Sequence, residues 1–322
     1  MASISRPKSG RRLRRGGRAE MSRRLRLNVA LMRWFVKPLL RRTGTPEKAA
    51  RDFEVLARWM FRPPPLTCHV VQRAGRLTLH RISIGPTAPR RVVLYLHGGA
   101  FLSGSGRSHS GLMARLSLLS GVEFCAPDYR LLQDAPFPAA FDDAVTAWHA
   151  LMDLGYAPQD VVLGGDSAGG GLALALMAHL TAMGQRPAAA FAFSPWTDLT
   201  LQGESIARLG PADPIIPVER MAEVVGLYLA GADPRDPRAS PLFAALSDPP
   251  PVFLQVGSTE ALLSDSTRFA DHLRAAGGQV DLQIWPAAPH VWQILDGWVP
   301  EARAALTEVA GFIQTSFAKA SR

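Results

Sequence analysis

The sequence predicts an α/β fold built on a mostly parallel sheet of eight strands flanked by helices, and three features point to it. From about residue 91 onward, short apolar runs of strand type alternate with helix-type stretches, a rhythm that requires parallel pairing through right-handed crossovers. Residues 161–180, VVLGGDSAGGGLALALMAHL, begin as an apolar run, break into glycines and resume as an Ala/Leu-rich helix former. The chain has 322 residues, 47% apolar and 20% charged, enough for a substantial core in one large domain or two small ones.

The N-terminus stands apart from that pattern. Residues 1–26 hold ten Lys or Arg against one acid, Glu20, which is the whole of the chain's formal charge of +9. The remainder is balanced, so nucleic-acid binding is not expected of the folded body. The leader itself is too poor in apolar residues to fold and is expected to be disordered. Three roles fit it: an upstream extension with Met21 as an alternative start, a polyanion- or membrane-surface tail, or an export signal, since Ser22-Arg23-Arg24 faintly resembles a twin-arginine motif. Against export, the following LNVALMRWFVKPLL is interrupted by Arg33, Lys37 and Pro38 and has no small-residue cleavage site. No run reaches the ~20 apolar residues of a membrane span. Cys68 and Cys125 each begin or lie within a predicted strand and read as small buried hydrophobes, so a cytoplasmic location is expected.

Residues 28–61 read as two amphipathic helices broken at Arg41–Pro46. Leu31, Trp34 and Phe35 share one face, and Phe53, Leu56 and Met60 share another. Arg62-Pro63-Pro64-Pro65 ends the second helix. Aromatic helices placed ahead of the first strand suit a lid over an apolar pocket. Strands are expected at Thr67–Gln72, Leu77–Ile84, Arg91–His97, Val122–Pro127, Val161–Gly165, Ala189–Ser194, Pro251–Val256 and Val280–Trp285. Between them, Phe141, Val145, Trp148 and Met152 form the core stripe of one helix. The last helix, from about Glu301 to Ala318, buries Leu306, Val309 and Ile313. Residues 203–247, rich in Pro and Gly with one helical run at Pro217–Ala230, are too long for a simple connection and read as an insertion.

The 161–180 unit also carries chemistry. A serine at the tip of a strand-to-helix turn takes a cramped backbone conformation, which requires residues without side chains two positions away on either side, here Gly165 and Gly169. The turn lifts Ser167 above a helix N-terminus, where negative charge is favoured. An activated serine needs a base, an orienting acid and oxyanion donors, gathered at the carboxyl ends of the strands. Of the eight histidines, only His290 sits in a loop directly after a late strand, and it is the candidate base. His109 lies in a Ser/Gly-rich turn with no motif around it, and His97 ends a strand beside a glycine pair. Two carboxylates follow the strand Pro251–Val256: Glu260 in the loop, and Asp265 at the next helix start, where capping alone favours an acid. Glu260 is the choice for the orienting acid and Asp265 the alternative. Gly98 and Gly99, with the N–H of Ala168, are the candidate oxyanion donors. Asp166 is expected to support the turn. Phe101, Trp196, Trp34 and Phe35 are candidates for the substrate pocket.

With these motifs in place the chain resembles the hormone-sensitive-lipase-like esterases of the α/β-hydrolase fold. The resemblance rests on His97-Gly98-Gly99-Ala100, Gly165-Asp166-Ser167-Ala168-Gly169-Gly170, Asp128-Tyr129-Arg130-Leu131 with Ala135-Pro136-Phe137-Pro138-Ala139-Ala140, and the His290 loop. Through Ser194-Pro195-Trp196-Thr197-Asp198-Leu199 and Pro289-His290-Val291-Trp292 it is most similar to bacterial members that include ε-lactone and steryl-ester hydrolases. It implies a serine carboxylesterase acting on short- to medium-chain esters or lactones without metal or cofactor. It implies a core over 67–318, a helical cap from residues 27–66 and part of 203–247, and a homodimer as one possible assembly. Acyl transfer to an alcohol, or ligand binding without catalysis, are the alternatives on the same scaffold. Three positions depart from the family pattern: Ala100 replaces a third glycine, Glu260-Ala261-Leu262 stands where Asp-Pro-Leu is commonest, and Leu132-Gln133-Asp134 replaces Ala-Pro-Glu.

Overall fold

The computed structural model describes residues 21–320, so most of the basic leader lies outside the described residues. Eight strands form one sheet: β1 (Thr67–Ala74), β2 (Leu77–Ile84), β3 (Val92–Leu96), β4 (Glu123–Pro127), β5 (Val161–Asp166), β6 (Ala189–Phe193), β7 (Val252–Gly257) and β8 (Val280–Trp285). Their order is β1-β2-β4-β3-β5-β6-β7-β8. β2 is antiparallel to both β1 and β4, and every later pair is parallel.

The parallel core follows from the sequence. β3, β5, β6 and β7 are buried throughout, as strands covered on both faces must be. Alternate side chains enter opposite apolar layers. Val92, Leu94 and Leu96 pack into one layer with Trp148 and Leu172, and Val93 and Tyr95 into the other with Met113 and Val309.

The covering helices are numbered in chain order. N-terminal to the sheet lie α1 (Arg23–Leu31), a π-helical turn at Met32–Val36, α2 (Lys37–Arg42) and α3 (Pro46–Met60). The crossovers supply α4 (Ser110–Ser120), α5 (Ala139–Asp153) and α6 (Ser167–Ala182). The 203–247 segment carries α7 (Glu204–Leu209) and α8 (Met221–Leu229), the latter led by a 3₁₀ turn at Val218–Arg220. α9 (Leu263–Ala275) and α10 (Pro300–Ala320) complete the chain. The Phe141–Met152 stripe of α5 packs on the sheet as expected, with Phe141 and Trp148 buried. Leu306, Val309 and Ile313 of α10 are fully buried.

Order begins earlier than the charge pattern suggested. Ser22 caps α1, its Oγ accepting from the Leu25 N–H at 3.1 Å. The Ser22 N–H and Oγ–H also donate to the Glu301 carboxylate of α10 at 2.8 and 3.0 Å. Leu25 is fully buried and packs with Met32, Trp292 and Ala305. The expectation of a disordered segment over residues 1–26 is therefore corrected for Ser22–Arg26, which are ordered, while residues 1–20 lie outside the described residues. One apolar side chain every turn was enough to dock the arginine-rich helix on α10.

Thr45 caps α3 through the Lys48 N–H, with Pro46 at its first position. Phe53 and Leu56 face the interior cavity described below. The Met60 side chain lies outside the described ones. Among the described residues no helix is long and apolar enough to cross a membrane.

Candidate active site

The site forms over the carboxyl ends of β3, β5, β6, β7 and β8, where loops from distant parts of the chain converge. Ser167 follows β5 directly and has φ +53°, the left-handed conformation that a non-glycine residue adopts only when its surroundings enforce it. Those surroundings are backbone. A Cβ added at Gly165 would lie 2.4 Å from the Gly169 carbonyl oxygen, and one at Gly169 would lie 2.1 Å from the His97 carbonyl oxygen. The two glycines are thus fixed by close packing of β5, α6 and the loop after β3.

Ser167 Oγ lies 2.9 Å from His290 Nε2, and His290 Nδ1 lies 2.8 Å from Glu260 Oε2. The other carboxylate oxygen of Glu260 accepts from Ser194 Oγ–H at 2.7 Å and from the Gly257 N–H. Ser194 Oγ in turn accepts from the Val291 N–H at 3.3 Å. Glu260 is fully buried and His290 nearly so. Burial by itself lowers the pKa of His290, but the hydrogen bond and negative charge of Glu260 outweigh it and hold the imidazole above its usual value.

Asp265 stands elsewhere. Its Oδ2 accepts from the N–H groups of Thr197 and Asp198 at 2.8 and 3.0 Å and so fixes the loop after β6. Burial pushes its carboxyl up to about 7 despite those two donors. Between the two candidate acids, the structure brings Glu260 to His290 and uses Asp265 to hold a neighbouring loop.

The glycine pair after β3 divides its duties. The Gly98 N–H donates to Asp166 Oδ1 at 2.9 Å, so it is committed and does not serve a bound oxygen. This corrects the expectation that Gly98 is an oxyanion donor. What Gly98 requires is the absence of a side chain, since a Cβ there would lie 2.1 Å from Asp166 Oδ2. Gly99, with φ +122°, faces the cavity beside Ser167. Ala168 is the first residue after Ser167 in α6 and is fully buried.

Asp166 also accepts from Tyr95 Oη–H at 2.8 Å and lies 3.5 Å from His109 Nε2. Burial favours its protonated form, but His109 and the Tyr95 hydrogen bond reverse this and leave the carboxyl below its usual range. The reverse holds for His109, where burial lowers the pKa and Asp166 raises it to a net increase. His97 fixes the loop: its ring stacks on Tyr129 at 4.2 Å, and Tyr129 Oη–H donates to the His97 carbonyl at 2.7 Å. Burial and His109 push the His97 pKa down to about 4, so this imidazole stays neutral at physiological pH.

Beside Ser167 and His290 lies a cavity of about 310 Å³. Trp196 lines it, with Met32, Val36, Leu40, Phe53 and Leu56 from the N-terminal helices and Ile215, Ile216, Met221 and Val224 from the 203–247 segment. The two cap segments expected from the sequence therefore meet over one apolar space.

Three pocket candidates do not reach it. Trp34 and Phe35 are 74% and 69% exposed and point to solvent, because Met32 and Val36 occupy the inward face of the same helical run. Phe101 is buried, but with φ +60° its ring turns onto Tyr228 of α8 at a centroid distance of 3.9 Å, outside the cavity lining.

Sequence reasoning missed two cap contacts. Lys37, 4% exposed, donates from Nζ to the carbonyls of Gly210, Pro211 and Asp213 at 3.1, 3.3 and 2.6 Å. The Asp213 carboxylate accepts from Ile215 and Ile216 N–H and, through its other oxygen, from the Ala261 N–H at 2.8 Å, next to Glu260. His109 and Ser194 were also missed. Only Ser194, at the end of a strand, carried a positional signal. Among the described residues no three His, Cys, Asp or Glu side chains converge as metal ligands.

A family model described as the α/β hydrolase fold matches residues 93–294. An acetyl-hydrolase of Streptomyces hygroscopicus is 39% identical over 227 residues, 70% of this chain and 76% of that protein. An esterase of Acinetobacter venetianus is 35% identical over 69% of this chain and 74% of its own length. Among solved structures, an esterase of the bacterial hormone-sensitive lipase family superposes with a TM-score of 0.87 at 33% identity, covering 92% of this chain and 99% of that one.

Proposed function

This chain belongs to the α/β-hydrolase family, among the esterases similar to hormone-sensitive lipase, and hydrolyses carboxylic esters; on that premise we propose that Ser167, His290 and Glu260 are its catalytic triad. The observation that carries the assignment is the unbroken series of contacts from Ser167 Oγ to His290 Nε2 at 2.9 Å and from His290 Nδ1 to Glu260 Oε2 at 2.8 Å.

In this reading Ser167 Oγ attacks the ester carbonyl while His290 Nε2 takes its proton. Glu260 fixes the imidazole tautomer and stabilises the imidazolium that forms. The tetrahedral oxyanion is met by the N–H groups of Gly99 and Ala168. His290 then returns the proton to the departing alcohol oxygen. Water, deprotonated by the same imidazole, attacks the acyl-Ser167 ester, and collapse releases the acid and restores the serine hydroxyl. Trp196 and the apolar cap residues bind the acyl or alcohol part of a short- to medium-chain ester or a lactone. The relatives' names favour transfer to water over transfer to another alcohol.

Cys125 is buried as expected, but Cys68 is exposed, because it lies on the edge strand β1, which corrects the expectation of burial for it. That both are unpaired supports a reducing cytoplasmic location. The test of the nucleophile is Ser167→Ala with a p-nitrophenyl ester series, beside labelling by a fluorophosphonate probe. A loss of roughly 10⁶ in kcat together with loss of labelling is expected. Retained turnover would overturn the assignment.

A further inference from the structure

Outside the catalytic cleft, the outward face of the N-terminal helical run, residues 23–42, is the most unusual surface. Leu27, Leu31, Trp34, Phe35 and Leu39 are between 46% and 74% exposed. Their spacing of three to four residues aligns them as one stripe along the run. A contiguous row of large apolar side chains in water marks an interaction surface, unlike single exposed apolar residues. The opposite face is already taken, by Leu25 and Met32 against α10 and by Val36 and Leu40 along the cavity. The stripe therefore has no partner within the described residues.

Its chemistry selects the occupant. Arg23, Arg24, Arg26, Arg33, Arg41 and Arg42 are all exposed on the same run, with Arg41 paired to Glu219 and Arg33 donating to the Ala212 carbonyl. No acid occurs in the sequence between Glu20 and Glu47. A second copy docked symmetrically would set two such cationic faces against each other. Residues 1–20, with seven Lys or Arg and one acid, carry the same sign and so make a poor cover. An anionic lipid surface satisfies both features. Guanidinium groups meet headgroup phosphates, and Trp34, Phe35 and the leucines enter the acyl boundary.

We propose that the 23–42 helical run seats this protein on bilayers containing anionic phospholipid, lying in the interface with its arginine-flanked apolar stripe toward the lipid. The inference does not depend on the catalytic assignment.

Cosedimentation of the full chain with vesicles tests it, comparing phosphatidylcholine alone with phosphatidylcholine containing phosphatidylglycerol. Partitioning is expected to be about tenfold or more stronger on the anionic vesicles and to weaken as added salt screens the arginines. Trp34→Ser with Phe35→Ser should lower it by about tenfold, with wild-type circular dichroism and cooperative melting. If that pair impairs folding, Leu27→Ser with Leu39→Ser addresses the same stripe from its two ends. Equal binding by a folded stripe variant would overturn the proposal, as would equal binding to both kinds of vesicle. A dimer in analytical ultracentrifugation that the stripe variant dissociates, without vesicle binding, would assign the face to a second copy.

Discussion

At the scale of single residues, the competition between Glu260 and Asp265 turns on which carboxylate reaches the imidazole. Glu260→Gln should lower kcat by about 10⁴, as loss of a triad acid does. Asp265→Asn should leave kcat within a small factor, since an amide oxygen can still accept from Thr197 and Asp198. A 10⁴-fold loss in the second variant alone would move the role to Asp265. The imidazole must be neutral to accept the Ser167 proton, and Glu260 holds its pKa above the ordinary value. Activity should therefore fall as pH drops through a value above about 6.5, and kcat/KM against pH reads that limb directly. A profile flat to pH 4 would remove His290 as base. Ser194 acts through Glu260 and through the Val291 N–H, so it is a positioning residue. Ser194→Ala should cost on the order of tenfold in kcat with little change in KM, short of the ~10²-fold penalty of a misplaced reacting group. It should also shift the acid limb, which a purely structural defect would leave in place.

At the scale of elements, the site depends on how closely backbone segments approach. The β5–α6 turn tolerates no side chain at Gly169, where a Cβ would meet the His97 carbonyl oxygen at 2.1 Å. Gly169→Ala should destabilise the fold by about 1–3 kcal/mol through overpacking, read as a lower urea midpoint at unchanged slope. It should depress turnover as well, because the same shift moves the loop that carries Gly99. The cap is held by polar contacts that the amphipathic pattern does not reveal. Lys37 bridges the N-terminal run to residues 210–213, and Asp213 connects that loop to Ile215, Ile216 and Ala261. Lys37→Met leaves three carbonyls without this donor while keeping the side chain's bulk. Its expected signature is a KM several-fold higher for longer acyl esters, with acetate-ester kcat nearly unchanged, in a series over acyl length. Equal effects at every chain length would show that Lys37 does not shape the pocket.

Across the whole molecule, the buried carboxyl of Asp265 makes stability depend on pH. Its pKa is raised from an unfolded value near 3.8 to about 7, so the folded state binds the proton more tightly than the unfolded chain. The stability it contributes is complete below the unfolded pKa and is lost as pH rises to about 7. Asp265→Asn should therefore gain in urea midpoint relative to wild type between pH 4 and pH 7, and a constant difference would contradict the linkage. Strands β3, β5, β6 and β7 were legible because parallel strands covered on both faces must be apolar throughout, and the serine turn because only glycine fits two residues to either side of Ser167. His290 and Glu260 could be selected by their loops after late strands, since a catalytic group in this architecture must lie at a strand's carboxyl end. Local sequence, however, carries no record of what a residue meets across the fold. It could not reveal that Gly98 spends its N–H on Asp166, that Trp34 and Phe35 face water while Met32 and Val36 take the cavity, or that His109 lies beside the nucleophile's turn. The sequence by itself determined the strands, the turn and the chemical groups, because these follow from periodicity and backbone sterics. Only the tertiary structure decided which polar group meets which, because hydrogen bonds and burial arise between segments that the chain keeps far apart.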